Sequence, residues 1–222
     1  MKMDICVTNQ LLSLSVKHNV KNFIFVSSVK AGGSPIRAVC ATEEDQNNPA
    51  GMYGETKREA ELKVLDIGHE SGMHVSILRP ALIYGPNVKG NLHLMMQGIK
   101  KGWFPPLPEI GNRRSMIHVD DIVRVLLLLV NSQQANGEIF IATDGRTYSS
   151  RNIYEIMRCV LGKNPLNWSI PKSLFSLIAL FNTNLRYKIE KLLGDECYSS
   201  EKLQSLGLKA QKELKQMNET DF

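Results

Sequence analysis

With 222 residues the chain is long enough for one core, or for a core and a small second lobe. A hydrophobic content of 43%, a charged content of 22% and a net charge of +5 are those of an ordinary soluble globular protein, and the basic excess reads as a solvated lysine surface. No dense basic run with interleaved aromatics points to nucleic acid, and the apolar runs Val125–Val130 and Leu174–Phe181 fall far short of the roughly 20 residues that span a bilayer.

Ile5, Val7, Leu11, Leu12 and Leu14 recur at helical spacing and predict an amphipathic helix over residues 4–18. Phe23-Ile24-Phe25-Val26 is a continuous apolar run ending at Ser27-Ser28, as in a strand of a parallel sheet buried on both faces. A loop rich in Gly, Pro, Asn and acids follows from Ala31 to Ala50. Met52 to Ile67, rich in Lys, Glu, Ala and Leu, predicts a helix. His74 to Leu78 reads as the next strand, stopped by Pro80, and Asn91 to Lys101 as a helix. Ser115 to Val119 is extended. Asp120-Asp121 is expected to cap a helix from Ile122 to Asn131. Glu138 to Ala142 is a third β-run, and Ser149-Ser150 can start a helix over Asn152 to Leu161. Strands alternating with helices argue for an α/β parallel sheet.

Cys6, Cys40, Cys159 and Cys197 form no CxxC pair and have no histidine at metal-ligand spacing. They are read as reduced thiols of a cytoplasmic protein, with no metal expected. The first residues lack the basic and apolar regions of a signal peptide.

Tyr53 and Lys57 stand four residues apart and so share one helix face. A nearby ammonium favours the phenolate, and a phenol tuned in this way can exchange a proton with an alcohol oxygen. Tyr187 and Lys191 repeat the spacing and are read as a chance match on a surface helix. Context separates the two pairs: Ser28 ends a buried strand, and ligands of α/β sheets bind beyond the carboxyl ends of strands.

Four segments carry a resemblance: Asn22-Phe-Ile-Phe-Val-Ser-Ser28, Tyr53-x-x-x-Lys57, Leu78-Arg-Pro-Ala-Leu-Ile-Tyr-Gly-Pro86 and Arg114-Ser-Met-Ile-His-Val-Asp-Asp121. In order and spacing the chain resembles the extended short-chain dehydrogenase/reductases, in their nucleotide-sugar epimerase/reductase branch. The resemblance implies a partial Rossmann-type parallel sheet in an α/β fold. Residues 1–90 would form a partial dinucleotide-binding core. Residues 91–222 would contribute a small C-terminal substrate lobe, with 115–145 returning to the core sheet. It implies Ser28, Tyr53 and Lys57 as catalytic residues. Tyr53, Lys57 and Pro80 would contact NAD or NADP. Ser28, Asn91 and Arg114 would contact a UDP-sugar, the guanidinium gripping its diphosphate. Arg114 as a surface arginine and Asn91 as a plain helix start remain alternatives, and His118 is read as structural. Lys30, Val88-Lys-Gly-Asn91, Asn112-Arg-Arg-Ser115 and Leu82 resemble the 4-keto sugar-nucleotide reductases that make UDP-N-acetylquinovosamine. They favour reduction at C4 over 4-epimerisation.

Members of that family begin with a strand, a GxxGxxG turn and a helix that stabilise the cofactor pyrophosphate. The 222 residues contain no such turn. The Ser28 strand is therefore expected to have an unpaired apolar edge, open to pairing with another chain or a homodimer partner. The chain alone is expected to bind nicotinamide cofactor poorly. A hydroxysteroid-like substrate and a non-catalytic relic are the competing readings.

Overall fold

An apolar run without alternation needs cover on both faces, and the computed structural model supplies it in part: Phe23, Ile24 and Phe25 are half-buried, and Val26 is exposed. The structure describes residues 2–35, 39–49, 51–87, 90–181 and 183–218. Val88 and Lys89, and the side chain of Tyr187, lie outside the described residues. Strand β1 (Asn22–Val26) pairs in parallel with β2 (His74–Pro80), and β2 pairs in parallel with β5 (Glu138–Ala142). Phe23, Phe25, Val75, Ile77 and Ile139 face α1 (Lys2–Lys17) and α2 (Gly51–Ser71), where they meet Leu12 and Val64. Ile24, Leu78 and Phe140 point the other way. They pack on Ile122, Val125 and Leu129 of α4 (Val119–Asn131) and on Leu203 of α8 (Glu201–Ser205). The strand period of two places successive side chains on opposite faces, so both layers are apolar. Among the described residues no strand pairs with the outer edge of β1.

A second, smaller sheet joins β3 (Leu82–Tyr84) in parallel to β4 (Arg114–His118), with β6 (Thr147–Tyr148) antiparallel to β4. Helices α3 (Asn91–Lys101) and α5 (Ser150–Val160) cover it, and Tyr84, Met95, Leu107, Met116, Tyr154 and Leu214 fill the space between. Helices α6 (Lys172–Phe181) and α7 (Thr183–Leu193) follow. Of the stretch 115–145, β5 joins the β1-β2 sheet while β4 pairs with β3.

Three expectations change. Strand β2 runs through Pro80, which lies opposite Ala142; the missing proline N–H costs one rung, and Ala81 N resumes the ladder to Ala142 O at 3.0 Å. The cap of α4 is His118, whose Nδ1 accepts from Asp120 N at 3.1 Å. Asp120 and Asp121 sit inside the first turn, where the buried Asp121 carboxylate accepts from the backbone N–H groups of Gln211 and Lys212. Cys40 and Cys197, read as reduced thiols, form a disulfide, because the fold lays residue 41 beside residue 198 as a β-bridge. Cys6 and Cys159 are free and exposed. No described helix is long and apolar enough to cross a membrane.

Candidate active site

Strand β1 delivers Ser28 to its carboxyl end. Ser27 N continues the ladder to Leu78 O at 2.7 Å, after which Ser28, in extended conformation, caps a 3-10 turn over Val29–Gly32. Its hydroxyl oxygen accepts from Lys30 N at 3.3 Å. Helix α2 lies directly against this turn. The approach is so close that a Cβ on Gly54 would stand 2.5 Å from the Lys30 carbonyl oxygen. The glycine next to Tyr53 thus sets the spacing between the phenol's helix and the serine's turn.

Tyr53 is 57% exposed, and its hydroxyl makes no hydrogen bond among the described residues. Lys57 Nζ lies 6.0 Å from the Tyr53 ring centroid and 5.0 Å from that of Phe25. The ammonium donates to Val26 O at 3.2 Å, which leaves it two further N–H groups. Both side chains line a cavity of about 490 Å³ with Val7, Thr8, Phe25, Thr56 and Ala60, at the open edge of β1. A phenol without an internal partner and an ammonium with spare donors fit the hydroxyl groups of a nicotinamide ribose. Ser28 stands at the same end of β1 but does not line that cavity.

Pro80 follows a buried ion pair that sequence reasoning missed. Arg79 is 1% exposed and grips Glu61 of α2 with two bonds, Nε to Oε1 at 2.8 Å and Nη2 to Oε2 at 2.6 Å. Glu61 lies four residues beyond Lys57, so the helical spacing that singled out Tyr53 and Lys57 extends to it.

Asn91 is exposed at the first position of α3. Arg114 turns towards the end of α7, where Nη1 donates to Lys191 O at 2.5 Å and to Leu192 O at 3.5 Å. Burial lowers its pKa, and the nearby Glu196 carboxylate opposes the shift. Asn112 is buried and holds Ser150 and Gly194 O. Lys30 forms an ion pair with Glu196, whose backbone is bonded to Arg113 and Ser115. The Ser28 turn is thereby tied to β4. Cys40 Sγ, in turn, lies 4.0 Å from Arg113 Nη1.

A profile of the NAD dependent epimerase/dehydratase family matches residues 1–142. The UDP-glucose 4-epimerase of Vibrio cholerae is 31% identical over 166 residues, which cover 74% of this chain and 50% of that protein. The chain spans about half the length of the curated relatives it matches. In fold it is similar to a Bacillus cereus UDP-glucuronic acid 4-epimerase in complex with UDP-glucuronic acid and NAD. The TM-score is 0.76 at 18% identity, over 98% of this chain and 65% of that one. It is similar also to a Thermotoga maritima UDP-glucose 4-epimerase with UDP-glucose, with a TM-score of 0.73 at 22% identity, over 94% of this chain and 64% of that one.

Proposed function

We propose, from the premise that the chain belongs to the NAD dependent epimerase/dehydratase family, that it carries the acid–base centre for NAD- or NADP-dependent chemistry at C4 of a UDP-sugar. The observation that carries this reading is the shared cavity of Tyr53 and Lys57 beside strand β1, which leads into Ser28. Tyr53 exchanges a proton with the sugar oxygen. Lys57, held by Val26 O, places a positive charge 6.0 Å from the centre of the phenol ring, on the side where the proton moves. Ser28 donates its O–H to the same oxygen while its own oxygen accepts from Lys30 N. When bound, the nicotinamide supplies hydride exchange at C4; Tyr53 and Lys57 would hold its ribose, and Pro80 would line its ring.

Reduction of a 4-keto sugar is the reading favoured by Leu82 and Lys30. Epimerisation is the second reading, favoured by the relatives' names. Net NADH or NADPH consumption with a UDP-4-keto-sugar separates them, since an epimerase returns its hydride. Tyr53→Phe is expected to lower turnover by about 10²- to 10⁴-fold. A Tyr53→Phe protein as active as the wild type, or a wild type that binds cofactor yet is inactive on every UDP-sugar tried, would sink the proposal. Titration calorimetry with each nicotinamide cofactor measures how much of the binding site these residues provide. A cytoplasmic location belongs to the same proposal, and the Cys40–Cys197 bond stands against it, since such compartments keep thiols reduced.

A further inference from the structure

Helix α2 grips the end of β1 at consecutive residues. Lys57 Nζ holds Val26 O at 3.2 Å, and Glu61 Oε1 accepts from Ser27 Oγ at 2.5 Å. Arg58 Nε donates to Ala31 O at 2.8 Å, beyond the turn. Residues 26, 27 and 31 are therefore fixed to the helix that carries Tyr53, and Ser28 lies between them. The Ser27 tie differs from the others in its burial. Glu61 and Arg79 are each 1% exposed, and Arg79 reaches in from β2. Its Nη2 also donates to Gln46 Oε1 at 3.3 Å.

Burying two charges is costly, and an apolar pair of the same shape often serves stability equally well. What an apolar pair cannot do is orient. Two parallel bonds from Arg79 fix the plane of the Glu61 carboxylate, so Oε1 meets Ser27 Oγ in one position only. Consecutive Cα atoms are about 3.8 Å apart, so anchoring Ser27 leaves Ser28 little room to wander. We propose that Glu61 and Arg79 are positioning residues that hold Ser28 in register with Tyr53 and Lys57. The inference rests on reading Ser28, Tyr53 and Lys57 as the acid–base set.

The test replaces both charges at once, because Glu61→Gln or Arg79→Met alone strands a buried partner. The double variant E61M/R79M leaves the buried Ser27 hydroxyl without its acceptor and is expected to fold with a loss of about 1–3 kcal/mol. Amide hydrogen exchange over residues 26–32 should rise about tenfold, with exchange in the far half of α2 unchanged. Where turnover is measurable, kcat should fall about 10²-fold with little change in KM. Ser27→Ala, which leaves the ion pair intact, should move exchange in the same direction and keeps the test alive if the double variant fails to fold. Wild-type exchange over residues 26–32 in a folded E61M/R79M, or in Ser27→Ala if only that folds, overturns the proposal. A wild type without turnover counts against the proposed function instead, and the exchange result still decides this one.

Discussion

Gly54→Ala gives a prediction whose sign discriminates. Gly54 is buried inside α2 with helical geometry, so alanine there should stabilise the helix by about 1 kcal/mol on propensity alone. The added Cβ, however, would lie 2.5 Å from Lys30 O and 3.2 Å from Pro49 Cβ. An ordinary carbon–oxygen contact is about 3.3 Å, so α2 and the Ser28 turn must separate by about 0.8 Å. Overpacking of this kind costs about 1–3 kcal/mol, which leaves a net loss of up to about 2 kcal/mol. With a urea slope of about 2 kcal/mol/M, the unfolding midpoint should fall by up to about 1 M. The same displacement moves Tyr53 away from Ser28, and turnover should drop by about 10²-fold. Gly68→Ala is the control. There the obstacle is a side chain, Val75 Cγ2 at 2.3 Å, so a second change, Val75→Ala, should relieve the clash. No trimming relieves a backbone carbonyl at Gly54. If Gly54→Ala proves more stable than the wild type, as helix propensity alone would have it, the close approach of α2 to the Ser28 turn is wrong.

Glu43 is buried and accepts from Ile141 N at 2.7 Å; burial raises its pKa above the usual carboxylate range. A raised folded pKa favours the protonated form, so its contribution is present at low pH and lost as pH rises through that value. Glu43→Gln keeps the acceptor and should gain stability over the wild type with rising pH, read from urea midpoints across the range above about pH 4. An unchanged difference would mean that the carboxyl is not desolvated. Thiol titration of the native protein should find two reactive groups, Cys6 and Cys159, and four after reduction and unfolding. Finding four at the outset would remove the disulfide. Ser149→Ala breaks a capping box at the start of α5 and should cost about 1 kcal/mol in thermal or urea unfolding.

The elements whose signal is local were legible in the sequence. The continuous run Phe23 to Val26, the Lys/Glu/Ala/Leu helix after it and the helix from Asn91 to Lys101 lie where their patterns put them, within a few residues at the ends. Tyr53 and Lys57 could be paired because one helix carries both. Arg79 was visible only as the residue before Pro80, since its partner Glu61 comes from another element. Asp120-Asp121 looked like a cap by composition, but the β4–α4 turn brings the His118 ring to Asp120 N first. Cysteine spacing could not reveal a bond between residues 157 positions apart, which depends on the whole fold laying one segment beside another. Arg114 shows the same limit. Its charge suggested a phosphate, and the carbonyls that its Nη1 meets at the end of α7 come from a distant part of the chain.

The Cys40–Cys197 bond turns the middle of the polypeptide into a closed loop. Tyr53 and Lys57 lie on that loop, while Ser28 hangs outside it on the N-terminal tail. A protease that cuts once within the loop, for instance in the stretch without helix or strand between α3 and β4, opens the circle without releasing a fragment. The nicked molecule would migrate intact on a non-reducing denaturing gel and split into two bands after reduction. A cut between Ser28 and Cys40 would release the tail that bears the serine whether or not the bond is broken.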